Sequence, residues 1–277
     1  VDDYASSHAD VGDRELARNL KHWRDMGYVI FKNAIDQSLI EVLLKDIEDF
    51  KANFASYDIP IEVRGRQLHS SQLSAFPEED TGVKINHLHA FSRAAYSLSL
   101  SPDICNFLRH VFAAPPSIMQ SLTFWRGSEQ PVHVDYPYVK SQKRLPFLAA
   151  AWIPLEDVSP DAGPLAYYPG GHKLENSSLF DWGNQSIVHS DASTRSPLEF
   201  AKFLQDAMSR SGISKAEFCP RKGDVLIWHG NLPHEGTPVL DRDKTRKSYV
   251  THFTALSDMP TFLLPSSEVS EIGRAHV

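Results

Sequence analysis

From Ser117 to Leu256 the chain is written as short apolar runs broken by turns, and this pattern constrains the fold more than any other feature. Ile118 to Trp125, His133 to Tyr138, Leu165 to Tyr168, Val225 to Trp228 and Lys247 to Leu256 have the length and the β-branched and aromatic content of strands. Leu145 to Ile153 is an almost continuous apolar run, suited to a strand buried on both faces. Asp161-Ala-Gly-Pro164, Pro169-Gly-Gly-His172 and Gly223-Asp224 read as turns. A single helix interrupts. Ser196-Pro-Leu-Glu199 is a capping box with proline at the first helical position, and the helix it opens runs to about Ser211 with Phe200, Phe203, Leu204 and Met208 buried. Strands around one helical insertion predict an antiparallel sandwich or barrel rather than βαβ units.

The N-terminal part reads differently. Leu16, Leu20 and Trp23 give Arg14 to Met26 the spacing of an amphipathic helix, and Gly27 suits its C-terminal cap. Tyr28 to Phe31 is a short strand. Asp36 caps a second helix that buries Leu39, Ile40, Leu43, Leu44, Ile47 and Phe50. Residues 55–95 are irregular. Ser101 caps a helix through Phe112, with Ile104, Phe107, Leu108 and Val111 inward. The expectation is one domain over 1–277: a helical scaffold over about 13–115, then a β core over about 116–256 with its helical insertion over about 196–211. Residues 174–195 read as a polar excursion.

Bulk composition narrows the function. The 277 residues are 42% hydrophobic and 23% charged, the balance of a globular chain with a sizeable core. A formal net charge of −7 argues against nucleic-acid binding, which calls for a basic stripe. Two cysteines, Cys105 and Cys219, do not make a disulfide scaffold. The start, Val1 to His8, is polar and acidic with no signal-peptide core, and the longest apolar run, Phe147 to Leu155, is too short to span a bilayer. These features predict a cytoplasmic protein with no membrane segment.

Chemistry concentrates in Pro131-Val-His-Val-Asp-Tyr-Pro-Tyr138. In a strand, His133 and Asp135 project from one face and can hold two adjacent corners of a metal ion. One more histidine completes the facial triad that leaves open positions on Fe(II) for an oxygenase. His-x-Asp is common by chance, and most such pairs are solvated surface. His87 and His89 are a rival chelating pair, though no acidic partner stands near them. Trp228-His-Gly-Asn-Leu-Pro-His-Glu-Gly-Thr237 offers His229 and His234 as the third ligand. Downstream, Arg246 heads the last strand. An oxygenase that consumes a 2-oxoacid needs a fixed cation for the acid's far carboxylate, and the planar guanidinium pairs with one bidentately. The ordered set of His-x-Asp, distant His and later Arg is more specific than any member.

With these residues in view, the chain resembles the phytanoyl-CoA dioxygenase family of Fe(II)/2-oxoglutarate oxygenases over most of its length. The resemblance rests on Asp25-Met-Gly-Tyr-Val-Ile-Phe31, Met119-Gln-Ser121, His133-Val-Asp135, Ala151-Trp152, Gly163-Pro-Leu165, Pro169-Gly-Gly-His-Lys173, Lys222-Gly-Asp-Val225, His234-Glu-Gly236 and Arg246-Lys247. It implies a mainly β fold with flanking helices, the double-stranded β-helix or cupin-like jelly roll. It implies His133, Asp135 and His234 as ligands of Fe(II), with 2-oxoglutarate and O2 as cosubstrates and Arg246 as the 2-oxoglutarate carboxylate partner. Thr237 resembles the family's small hydroxyl residue near that carboxylate, Trp152 a tryptophan lining the cosubstrate pocket, and Lys84 a cosubstrate- or substrate-binding lysine of some members. Halogenating relatives carry a small residue in place of Asp135, so the resemblance implies oxygenation, expected as hydroxylation of a small molecule. The chain departs from the family at Glu235-Gly236, where Gly then Ser is usual, and at Val239, where Asn is usual. No family segment matches residues 174–195, the expected seat of substrate specificity.

Other polar and aromatic residues stay open between two roles. His229 reads as core or as support for the site, His172 as structural, and His252 as facing either pocket or core. Tyr136, Tyr138, Phe147 and Trp125 can wall a substrate pocket or simply fill the core. Lys140-Ser-Gln-Lys-Arg144 can bind an anionic substrate group or lie as a solvated loop. Three rival readings stand beside hydroxylation: the same cofactors driving desaturation, cyclisation or epimerisation; a non-catalytic metal-binding jelly roll; and a zinc hydrolase, against which stands the lack in this sequence of a second acidic residue placed as general base near the site.

Overall fold

The computed structural model describes residues 14–139, 147–174 and 180–260. Along them run α1 (Arg14–Met26), β1 (Tyr28–Phe31), α2 (Gln37–Ala52), β2 (Pro60–Val63), β3 (Arg66–His69), β4 (Lys84–Asn86), α3 (Arg93–Ser99), α4 (Pro102–Phe112) and β5 (Pro116–Phe124). There follow β6 (Ala149–Pro154), β7 (Leu165–Tyr167), α5 (Pro197–Ser211), β8 (Ala216–Phe218), β9 (Val225–His229), β10 (His234–Gly236) and β11 (Ser248–Ala255). Eight strands form one sheet in the order β1-β9-β6-β11-β5-β4-β2-β3, and three form a second in the order β10-β7-β8. The strand pairings of the described residues are antiparallel. The strand pattern predicts such an antiparallel sandwich, and the family resemblance implies its form, a mainly β jelly roll with flanking helices.

The large sheet buries both faces. On one, Ile153, Ile227, Tyr249 and Phe253 pack with Trp23, Leu43, Ile47 and Phe107 of the helices. On the other, Trp152, Leu226, Trp228 and Val250 meet Leu165, Tyr167 and Phe218 of the small sheet. β6 and β11 lie between neighbours at the centre and are buried at every residue, which explains the apolar run ending at Ile153. Register sets which side chains stand abreast. Ala150 pairs with both Trp228 and His252, and His252 with Gln120; in the next row Val250 pairs with Trp152 and Leu122. Side chains of one row share one face, so Trp228, Ala150 and His252 all face the small sheet.

Several sequence expectations need correction. The stretch 55–95 is not irregular: it carries β2, β3, β4 and α3. The hairpin between β2 and β3 turns on Arg64 and Gly65, both at positive φ (51° and 77°), a two-residue turn whose signal is weak because Arg precedes the Gly. β3 is largely exposed and polar, so no apolar alternation announces it. The helical scaffold therefore also supplies strands to the main sheet. His133 to Tyr138 is not a strand, for reasons given below. Residues 180–195 are not simply polar: Phe180 and Trp182 are buried with Val132, Val134, Phe200 and Leu204. Ser101 does not cap α4 with its side chain; its hydroxyl donates to the Leu98 carbonyl at 2.8 Å. Lys140 to Arg144 and residues 1–8 lie outside the described residues. Among the described residues no helix is long and apolar enough to cross a membrane.

Three histidines sit in this framework away from the His133 cluster. Burial holds His89 and His172 down to about 4 and His229 to about 3, the neighbouring His87 and His172 rings adding to the effect at His89 and His229 respectively. In the unfolded chain each imidazole takes its proton near pH 6.5. Between about pH 6.5 and 4 the unfolded state thus binds more protons than the folded one, and stability falls as pH drops. Urea unfolding across pH 7 to 4 is expected to show a progressive loss of midpoint; a flat profile would contradict the buried neutral state of these rings.

Candidate metal centre

The run from Pro131 to Tyr138 bends where its sequence forbids a ladder. His133 makes one isolated antiparallel bridge with His234, the two residues exchanging N–H···O bonds of 3.0 and 2.9 Å. Two residues later the chain turns: the amides of Tyr138 and Val139 donate to the Asp135 carbonyl at 2.9 and 2.8 Å. Pro137 has no N–H to extend a strand. Asp135 is fixed from below by Gly230, whose carbonyl accepts from the amides of Asp135 and Tyr136 at 2.9 and 3.2 Å. A Cβ at Gly230 would stand 2.7 Å from the Leu148 side chain, so only glycine allows this approach.

The bend brings His133, Asp135 and His234 together, with one ligand atom from each within 4.8 Å of the others. Among the described residues no other group of three His, Cys, Asp or Glu side chains gathers this way. His87 and His89, the rival pair, have rings 5.8 Å apart, and His89 Nδ1 meets the Ser121 hydroxyl at 2.8 Å. His229 turns instead toward Trp23 and His172, its Nδ1 accepting from the Asn231 amide at 3.0 Å.

The donor set suits a divalent metal. Nδ1 of His133 donates to the Pro131 carbonyl and Nδ1 of His234 to the Leu232 carbonyl, each at 2.9 Å. With Nδ1 so engaged, the neutral form of each ring carries its lone pair on Nε2. The Gln130 amide donates to Nε2 of His133 at 3.2 Å, which marks that nitrogen as an acceptor. Burial, then the His234 ring beside it, pushes His133 down to about 3, so it is neutral. Burial alone would raise the Asp135 carboxyl, but the His234 and His252 imidazoles outweigh it and hold the group ionised well below the usual range. Asp135 Oδ1 lies 3.5 Å from Nε2 of both His234 and His252, while Oδ2 accepts from the Trp228 indole N–H at 2.8 Å.

A cavity of about 60 Å3 opens over this cluster, room for several waters at roughly 10–15 Å3 each. Leu122, Phe124, Trp152, Leu165 and Val250 form its apolar wall, and Arg246 lines it too. Arg246 is 2% exposed, and among the described residues no carboxylate pairs with it. Its Nε has no hydrogen-bond partner, and its Cζ lies 5.6 and 5.7 Å from the Phe124 and Trp152 rings. Burial pushes its pKa down to about 10, leaving it charged at neutral pH. Arg126 shows what a satisfied buried guanidinium looks like here. It donates to the carbonyls of Glu78, Arg242 and Lys244 and to the Glu79 carboxylate, pinning the loop that leads into Arg246.

The other expected site residues divide. Trp152 and His252 line the cavity. Lys84 does not; its ammonium pairs with Glu62 at 2.8 Å. Thr237 is buried off the cavity wall, its hydroxyl donating to the Pro164 carbonyl at 2.9 Å. Trp125 belongs to the helix-side core and donates to Glu78, with the Lys51 ammonium over its ring. Tyr136 lies outside the lining, and Tyr138 is 41% exposed, its ring against His133, Trp182 and His189. Gln130, Glu235 and Trp228 line the cavity without having been anticipated. Trp228 carried one signal: a buried indole N–H needs an acceptor.

Comparison with known proteins fits this geometry. The family model for phytanoyl-CoA dioxygenase (PhyH) matches residues 23–248. A phytanoyl-CoA dioxygenase domain-containing protein 1 homolog from Caenorhabditis briggsae is 24% identical over 258 residues, covering 82% of this chain and 86% of that one. Among solved structures, the non-heme alpha ketoglutarate dependent carbocyclase SnoK from nogalamycin biosynthesis superposes with a TM-score of 0.61 at 17% identity, over 96% of this chain and 92% of that one. The epimerase SnoN from the same biosynthesis gives 0.64 at 17%, over 91% of each chain; it has also been solved with Fe3+, alpha ketoglutarate and nogalamycin RO. At these identities the two structures bear on the fold alone. The family match covers most of the sequence, and the chain belongs to the phytanoyl-CoA dioxygenase family, dioxygenases that use Fe(II), 2-oxoglutarate and O2.

Proposed function

We propose that the protein hydroxylates an unactivated C–H bond of a small-molecule substrate, consuming 2-oxoglutarate and O2 and releasing succinate and CO2. The observation that carries this reading is Arg246, a buried charge with no carboxylate partner among the described residues, in the same cavity as His133, Asp135 and His234. A buried guanidinium left unpaired is costly, and a dicarboxylate cosubstrate supplies the missing partner. A metal-stabilised fold or a zinc hydrolase has no use for such a clamp.

In this reading His133, Asp135 and His234 hold Fe(II), and Arg246 binds the far carboxylate of 2-oxoglutarate. Bound there, iron with its cosubstrates supplies the oxidising power that breaks the C–H bond. The chain's part is placement. The Pro131 and Leu232 carbonyls fix the two imidazoles in the tautomer that presents Nε2. Phe124, Trp152, Leu165 and Val250 give the cavity that Arg246 shares with these three residues an apolar wall. The names of SnoK and SnoN, a carbocyclase and an epimerase, favour ring closure or epimerisation as a second reading of the outcome. Product mass separates these: hydroxylation adds one oxygen, ring closure by loss of two hydrogens lowers the mass, and epimerisation leaves it unchanged.

Two outcomes test the reading. Succinate formation should require Fe(II) and O2 and vanish in His133→Ala; full turnover in that variant would end it. Arg246→Gln should weaken 2-oxoglutarate binding to the anaerobic Fe(II) protein on the order of 10²–10³-fold, as expected for breaking a buried charge pair. Fe(II) affinity itself should hold. Wild-type 2-oxoglutarate affinity in Arg246→Gln would remove the clamp from the account.

A further inference from the structure

Trp228, Ala150 and His252 stand abreast on β9, β6 and β11, facing the small sheet. Asp135 meets this row at both ends. Trp228 donates its indole N–H to Oδ2 at 2.8 Å, and Nε2 of His252 lies 3.5 Å from Oδ1. Between them Ala150 is fully buried and offers only a methyl group. The Trp228 ring also lies against His234, centroids 4.8 Å apart. One indole thus touches two of the three clustered residues.

We propose that Trp228 is a positioning residue that sets which oxygen of Asp135 faces the metal. This rests on the reading of His133, Asp135 and His234 as iron ligands. The indole N–H commits Oδ2, and Oδ1 is left toward Nε2 of His234 and Nε2 of His252, each at 3.5 Å. A carboxylate free to rotate could present both oxygens and occupy a position the cosubstrates need. Trp228 and Asp135 are 3% and 5% exposed, so water does not compete for the bond. A buried indole N–H takes an acceptor in any case; here the acceptor is the one carboxylate of the cluster.

Two replacements separate the N–H from the ring. Trp228→Phe removes the donor and shortens the ring; benzothienylalanine at position 228, with sulfur in place of N–H, keeps the bicyclic shape. Fe(II) affinity of the anaerobic full-length protein is read by calorimetry, and the metal-free fold by circular dichroism and melting. Both replacements should bind Fe(II) about 10–100-fold more weakly than wild type, the usual cost of losing a hydrogen bond behind a metal ligand. Two results would overturn the proposal: wild-type affinity in the isostere, whatever the phenylalanine variant does, or a lower melting temperature in both with affinity unchanged. Should Trp228→Phe fail to fold, the isostere decides alone. A wild-type protein that takes up no Fe(II) would instead overturn the proposed function itself.

Discussion

Two backbone hydrogen bonds between His133 and His234, at 3.0 and 2.9 Å, join parts of the chain that lie far apart in sequence. They set the two rings 4.2 Å apart and fix where the carboxylate of Asp135 arrives two residues later. Each ring then spends Nδ1 on a carbonyl of its own stretch, so the bridge fixes position and the local bonds fix orientation. The bridge in turn depends on what lies beneath it. Val132 and Val134 flank His133 and are packed among Phe180, Trp182, Phe200 and Leu204, so α5 and the segment before it brace the run that carries His133 and Asp135.

The cavity is held by contrast between paired and unpaired charge. Arg126 and Arg246 are both buried arginines. The first spends its donors on carbonyls and a carboxylate and so fastens residues 242–244; the second, just beyond that loop, is left with its guanidinium between Phe124 and Trp152. Among the described residues one buried guanidinium is fully satisfied and the next has no carboxylate, and the proposed clamp rests on that contrast.

Much of this was legible in the sequence, for identifiable reasons. α1, β1 and α2 followed their apolar spacing and caps closely, because Gly27 and Asp36 mark their ends and Trp23, Leu43 and Ile47 bury one face. His133, Asp135, His234 and Arg246 were nameable because their order along the chain is distinctive, and they meet around one cavity. What escaped was encoded weakly. β8 and β10 are three residues long, too short for a period, and β3 is a polar edge strand. The turn after His133 was written in Pro137 but masked by the Val and Tyr around it. Trp228 sat in a run that reads as core, and only cross-strand register shows that its N–H meets Asp135.

The most direct test is the anomalous diffraction of a crystal grown without O2 in the presence of Fe(II) and 2-oxoglutarate. The account predicts one iron peak within bonding distance of His133, Asp135 and His234, with the far carboxylate of 2-oxoglutarate against the Arg246 guanidinium. Iron seated instead at His87 and His89, or a cosubstrate carboxylate held away from Arg246, would contradict it.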